Sequence, residues 1–205
     1  RSLVVGYNHH FGKDREGDFE QIRDCASRNG FGVERVEARS VSGENVSSTR
    51  IRKALIEGRM DEANAMLGEP FLISGVVDRG RGVGRQLGFP TANIRIPDER
   101  KLVPLDGVYA VGVKLGNSRY YGMMNIGFRP TLNEISHGRT VEVHIFGMEE
   151  DLYGHTLCLS LLKRIREERK FEGTEALRRQ LLSDREEIIR YLGGVEPGPI
   201  FPGKY

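Results

Sequence analysis

Hydrophobic and polar positions change rhythm part-way along the 205-residue chain. SLVVGY (2–7) is a short continuous apolar run, the pattern of a strand covered on both faces. DFEQIRDCASRNG (18–30) has helical spacing, with Asp18 placed as N-cap and Gly30 just past the end. GVERVEA (32–38) alternates and predicts the next strand. Strand, helix, strand at this spacing predicts a parallel crossover unit. A second helix begins at Ser47 or Ser48 and runs through TRIRKALIEG; a third, DEANAMLG, ends at Gly68. One crossover is too little for a doubly wound sheet, and the chain has no initiating Met. The expectation is therefore an α/β fragment that starts inside its domain.

After Glu69-Pro70 the period shortens from helical to alternating. FLISGVVDR (71–79), GVYAVGVKL (107–115), RYYGMMNIG (119–127), RTVEVHIF (139–146) and TLCLSLLKRI (156–165) all predict strands. The link GNS (116–118) is short enough for a hairpin. So many antiparallel strands in so short a stretch predict a small barrel. Thr174 is placed to cap a closing helical region through Leu192, in which Leu177, Leu181, Ile188 and Leu192 share a face. Ser183 and Glu186 form a second capping-box pattern, which predicts a break there. The tail, 193–205, is rich in glycine and proline and predicts irregular structure.

Composition narrows the function classes. Hydrophobic residues make up 38% and charged residues 29%, an ordinary globular balance. A net charge of +2 argues against a dedicated nucleic-acid binder. No apolar run approaches the roughly 20 residues that a membrane helix needs, and the opening RSLVVGYNHHFG has no signal-peptide pattern. Cys25 and Cys158 form no metal motif and read as reduced thiols, so the expected location is the cytoplasm.

The segment GRGVGRQLGFPTANI (80–94) carries the first chemical signal. It fits neither a P-loop nor a dinucleotide fingerprint, because neither glycine spacing is met and Pro90 forbids an immediate regular helix. Two readings stay open: a barrel loop with solvated arginines, or a phosphate-binding flap. Thr91 and Asn93 are two apart, so extended backbone points both to one face. A hydroxyl and an amide oxygen are hard neutral ligands suited to Mg²⁺, with phosphates and water completing its shell. Arg85 would then neutralise phosphate charge and the loop would add backbone N–H groups. In TVEVHIF, Val141, Val143 and Ile145 share one face, Glu142 and His144 the other. That second face is either solvated or part of a site with Glu142 as general base.

Taken in order, GRQLGFPTANI, PLDGVYAV, NIGFRPT, TVEVHIF, DLYG and IREERKF resemble the riboflavin kinase domain of prokaryotic bifunctional riboflavin kinase/FAD synthetases. The resemblance covers about residues 69–192. It implies a six-stranded closed β-barrel with a C-terminal helix, and transfer of the ATP γ-phosphoryl to the 5′-hydroxyl of riboflavin to give FMN. It also implies that Glu142 is the catalytic base and that Thr91 and Asn93 are ligands of Mg²⁺ and ATP. Gly80 and Arg85 fall on the nucleotide flap, Tyr153 on a nucleotide contact, and Arg166, Arg169 and Phe171 on the segment closing over the flavin. Arginine and phenylalanine at that spacing can grip a planar ring by stacking.

Residues 1–68 resemble part of the other half of such enzymes, the FMN adenylyltransferase module with its nucleotidyltransferase-like, Rossmann-like fold. LVVGYNHHFG and VSSTRIRKAL carry this resemblance, and Ser47, Ser48, Thr49 and Arg52 match its second signature. Its first, a His-x-Gly-His stretch, is expected upstream; the adjacent His9 and His10 do not replace it, and Asn8 stands where an aspartate is expected. The partners implied are small molecules, with no nucleic acid and no membrane. Two rivals remain at this point: a flavin- or nucleotide-binding module without turnover, and a nucleic-acid-binding barrel that uses RGRGVGR as a basic loop.

Overall fold

The computed structural model describes residues 1–7, 12, 17–80, 82–128, 139–194 and 198. Asn8, His9, His10, Arg81, residues 129–131 of NIGFRPT and nearly all of the tail fall outside them. The chain forms two compact units, Arg1–Ser47 and Ser48–Tyr205.

In the first unit, β1 (Ser2–Gly6) and β2 (Gly32–Val36) pair in parallel, with Ser2 opposite Gly32 and Gly6 opposite Val36. Helix α1 (Phe19–Asn29) connects them. Asp18 caps it by accepting the Gln21 N–H at 3.0 Å. Gly30 ends it at φ 69, a left-handed conformation that suits a residue without Cβ. The hairpin β3 (Ser40–Val41) and β4 (Glu44–Asn45) follows. One expectation fails here. Strand β1 is not covered on both faces: only Val5 is buried, while Val4 is 58% exposed. Among the described residues its sheet has just two strands, so its apolar run has too little to pack against.

The second unit opens with α2 (Ser48–Ile56) and α3 (Met60–Leu67), then β5 (Phe71–Asp78). A one-turn helix α4 (Val83–Gln86) precedes β6 (Ala92–Arg95). Strands β7 (Gly107–Leu115), β8 (Ser118–Phe128), β9 (Arg139–Ile145) and β10 (Thr156–Arg166) and helix α5 (Thr174–Tyr191) complete it. The six strands β5 to β10 close into a barrel in the order β10-β5-β6-β9-β8-β7, every pairing antiparallel. The predicted hairpin is present, with Leu115 opposite Ser118. The glycine segment, read as a loop, contains the single turn of α4; it ends before Pro90, as the ring demands.

Two apolar cores result from the alternation of side chains. Inside the barrel lie Ile73, Tyr109, Val111, Met124, Val143 and Leu159, all fully buried. Outside it, Val108, Ala110 and Met123 pack with Phe89, Phe146 and Ile188 of α5. Strand β7 is covered on both faces, which explains its nearly unbroken apolar sequence. Asn64 of α3 stitches the helix to the barrel where β10 bulges. Its amide donates to the carbonyls of Leu161 and Leu162 at 2.9 and 3.2 Å, and its oxygen accepts the Phe71 N–H at 2.9 Å. The bulge between Leu161 and Lys163 breaks the ladder, and the side chain satisfies the carbonyls freed there.

Helix α5 corrects two expectations. Gly173, in extended backbone, takes the N-cap position, and Thr174 is the first helical residue. The helix also runs unbroken through Ser183. The residue after Ser183 is the reason. Asp184 is 1% exposed, the one buried charge among the described residues, and it takes Arg166 in a bidentate pair at 2.7 and 2.9 Å. Gln180, one turn earlier, donates to the same carboxylate at 2.6 Å. With Asp184 and Ile188 fixed on the barrel, a break at Ser183 would withdraw both.

Breaking this pair leaves the Arg166 cation without its partner. Asp184→Ala is therefore expected to destabilise the second unit by about 3 kcal/mol in urea unfolding. Ser183→Ala is expected to stay within about 0.5 kcal/mol, because Ser183 caps nothing. A large loss at Ser183 and none at Asp184 would reverse this account of the helix.

Candidate active site

The site is built on the outer face of the barrel. Strand β6 is only four residues long, but it pairs on both edges: Asn93 faces Asp78 of β5 on one side and Glu142 of β9 on the other. Glu142 in turn faces Asn125 of β8. Residues directly opposite across a ladder project to the same face, so Asn93, Glu142 and Asn125 form one row. Val141, Val143 and Ile145 alternate with Glu142 and are buried inside the barrel. Thr91, one residue before β6, donates its hydroxyl to Glu142 Oε2 at a long 3.3 Å.

The glycine segment packs over this row. At Gly80 a Cβ would run into the Asn93 amide group, 2.6 Å from its Cγ. At Gly84 a Cβ would strike the Phe89 carbonyl and lie 3.2 Å from the Thr91 hydroxyl. Gly82 and Gly88 serve differently, with φ of 69 and 81. Two glycines thus admit the side chains beneath the loop, and two turn its backbone.

Two cavities meet at Thr91. The first, about 280 Å³, brings together Thr91, Glu142, Arg166, Arg169 and Phe171 of the expected residues. Apolar walls from Leu87, Phe89, Val108, Met123, Leu177 and Leu181 complete it, with Asn125, His144 and Glu168. The second, about 520 Å³, brings Arg85 and Tyr153 to the other side of Thr91. Glu149, Glu150 and Asp151 line part of it. Gly80 of the segment and Asn93 beneath it lie against each other and line neither cavity. Ser48, Thr49 and Arg52 belong to α2 and also line neither. Ser47 ends the first unit, so the division between units falls inside that signature.

Arg166 and Arg169 both stand over the Phe171 ring, 5.7 and 5.2 Å from its centre. The segment is latched to β8 through Glu168, which accepts the Phe128 N–H at 3.2 Å and fills the space over Gly127. Arg79 stands 5.9 Å over the ring of Tyr153. His144 sits between Phe89 and Phe146, edge-on to both, with Nδ1 2.8 Å from the Pro90 carbonyl. A carbonyl only accepts, so Nδ1 carries the proton.

Four residues escaped the reading of the sequence: Asn125, Glu168, Gly84 and Asp184. Asn125 left a trace, as the lone amide in the apolar run MMNIG. Glu168 and Asp184 are single charges among many in charged segments, and nothing local distinguishes them.

A divalent metal fits this donor set only in part. Thr91 Oγ1 and Asn93 Oδ1 are hard oxygens, and the carboxylate of Glu142 adjoins both. Among the described residues no cluster of three or more His, Cys, Asp or Glu forms a cage. Such a site suits a small hard cation that keeps waters and substrate phosphates in its shell, which is the behaviour of Mg²⁺.

The riboflavin kinase family model matches residues 67–192, and the FAD synthetase model matches residues 1–50. The bifunctional riboflavin kinase/FMN adenylyltransferase of Pseudomonas fluorescens is 40% identical over 183 residues, 89% of this chain and 58% of the relative. The protein of the same description from Escherichia coli K12 is 38% identical over 196 residues, 95% of this chain and 61% of the relative. The chain thus spans about three fifths of the length of these curated relatives. A crystal structure described as a macrolide-efflux protein of Streptococcus pneumoniae superposes with a TM-score of 0.79 at 34% identity, covering 90% of this chain and 59% of that one. Among the described residues no helix is long and apolar enough to cross a membrane.

The surroundings of His144 give a pH dependence. Burial, aided by the nearby Arg185 charge, holds its imidazole below the ordinary 6.5, while the bond to Pro90 works in the opposite direction. The unfolded chain takes up this proton as pH falls through 6.5; the folded protein resists it. The associated stability is whole above that pH and is lost progressively below it. In urea titrations from about pH 7 to about pH 5, His144→Gln is expected to lose stability less steeply than the parent protein. Equal slopes would remove His144 from the acid response.

Proposed function

The chain belongs to the riboflavin kinase family, and we propose that its barrel transfers the γ-phosphoryl of ATP to the 5′-hydroxyl of riboflavin, giving FMN and ADP. The observation that carries this reading is the position of Thr91 in the walls of two cavities, with Glu142 beside it in one. Two reactants held in these cavities meet at one point. Phosphoryl transfer asks chiefly for such positioning and for charge neutralisation.

The apolar first cavity takes the flavin ring, with Phe171, Arg166 and Arg169 closing over it. Glu142 accepts the proton of the 5′-hydroxyl as its oxygen bonds to the γ-phosphorus and the bond to the ADP oxygen breaks. ATP takes the second cavity, and its direction follows from charge. Carboxylates repel phosphate, so the phosphates lie toward Thr91 and Arg85, and the nucleoside toward Tyr153 and the acidic run Glu149–Asp151. Thr91 and Asn93 would hold Mg²⁺, which when bound supplies positive charge to the phosphate oxygens.

The match of residues 1–50 to FAD synthetase supports a second reaction, adenylylation of FMN to FAD, in a protein of the relatives' full length. Ser47, Ser48, Thr49 and Arg52 are the nucleotide contacts proposed for it, and this chain by itself is expected to make FMN but not FAD. The nucleic-acid-binding barrel gains no support from a net charge of +2.

Incubation with MgATP and riboflavin, followed by chromatography of the flavins, tests the kinase; FMN in place of riboflavin tests adenylylation. FMN formation is expected in the first case, and Glu142→Gln should lower kcat about 10²- to 10⁴-fold while leaving riboflavin binding intact. Binding of riboflavin without turnover by the parent protein would favour the non-catalytic module.

The shared metal shell predicts non-additivity. Thr91→Ala and Asn93→Ala should each weaken MgATP far more than riboflavin, and the double variant should lose less than the sum. Strict additivity would separate the two residues.

A further inference from the structure

Asn125 stands in the wall of the flavin cavity and directly opposite Glu142 in the β8–β9 ladder. It is half-buried, and among the described residues its side-chain amide hydrogen-bonds to nothing. Its amide is open to the cavity, and a polar group that converges on a largely apolar cavity without a protein partner is a candidate for contact with a ligand.

Its neighbours say which part of a ligand. Met123, two residues earlier on the same face of β8, and Val108, opposite Asn125 on β7, are apolar and line the same cavity. Glu142, on the other side, marks the reacting end. Asn125 therefore lies where an apolar wall gives way to the catalytic carboxylate. On the kinase reading, on which this inference rests, the ring occupies the apolar part and the 5′-hydroxyl meets Glu142. The chain joining them passes Asn125. That chain carries three secondary hydroxyls, each a donor and an acceptor. An amide offers both functions at once: two N–H donors and an oxygen acceptor. Glu142, as a carboxylate, only accepts.

We propose that Asn125 reads the secondary hydroxyls of the ribityl chain and so selects polyol-bearing flavins over flavins that carry only a terminal alcohol. It is a specificity-determining residue, separate from the proton transfer at Glu142.

The test compares riboflavin with the same ring system carrying a 5-hydroxypentyl chain, which keeps the reacting hydroxyl and lacks the other three. The parent protein should prefer riboflavin in kcat/KM. Asn125→Ala should lower kcat/KM for riboflavin about tenfold, the effect of one hydrogen bond, and for the hydroxypentyl flavin by less than about twofold. Asn125→Ser, which keeps a shorter hydrogen-bonding group, should fall between, and it carries the comparison if the alanine variant does not fold. Equal losses on both substrates, or no loss on either, overturn the proposal. Flavin fluorescence on binding supplies a second readout independent of turnover. If the parent protein phosphorylates neither flavin, the kinase reading fails. The inference about Asn125 then still stands or falls on whether Asn125→Ala selectively weakens riboflavin binding.

Discussion

Strand β6 hydrogen-bonds on both edges, to β5 through Asp78 and to β9 through Glu142, and in doing so closes the barrel. With four residues it is the shortest strand of the six. Its pairing sets Asn93 beside Glu142 and fixes Thr91 at the carboxylate just before the strand begins. A slip of one residue would turn Asn93 away from Glu142 and place Ile94, now buried at 7% exposure, on the outer face. The apolar interior thus guards the register that the site needs. Closure also removes the free sheet edges on either side, so the two ends of the row cannot drift apart.

The glycine segment then acquires a physical purpose that composition alone does not reveal. Its glycines are spaced for a surface beneath them. Gly80 admits Asn93, and Gly84 admits Thr91 while its backbone crosses the Phe89 carbonyl. The helix between Gly82 and Leu87 is a single turn, too short to act as an extended dipole on a phosphate. The positive charge on this side is that of the Arg85 side chain, which lines the second cavity.

Much of this was legible in the chain. The long barrel strands showed a clear period of two, and the caps Asp18 and Gly30 behave as their side chains dictate. Glu142 and Thr91 stood out as candidates because a strand alternating Val-Glu-Val-His and a Thr-x-Asn pair are local patterns, while their roles are implied by the resemblance alone. What escaped depends on distant partners. Four residues are too few to display a period, so β6 was visible only through resemblance. Asp184 sits in a segment whose local pattern favours a break, but it pairs with Arg166, 18 residues earlier, and the helix runs on unbroken. Strand β1 erred in the other direction: an apolar run predicts cover on both faces, but cover is a property of the neighbours.

The charges of the site are divided between its halves in a way that suits two different reactants. In the first cavity, the one proposed for the flavin, Arg166 is already matched by Asp184, and Arg166 and Arg169 both lie over Phe171. These groups present planar faces for a neutral ring, with little net charge to be desolvated when it enters. His144, held neutral at ordinary pH by burial, lines the same cavity two residues from Glu142 and adds no competing cation. On the other side of Thr91, Arg85 has no such carboxylate partner among the described residues, and it shares the second cavity with Tyr153, Glu149, Glu150 and Asp151. On the proposed reading, a polyanion entering there is drawn toward Arg85 and Thr91 and repelled from the carboxylates. On the proposed kinase reading, position and direction are thereby set before any chemistry, and Glu142 is left to handle a single proton.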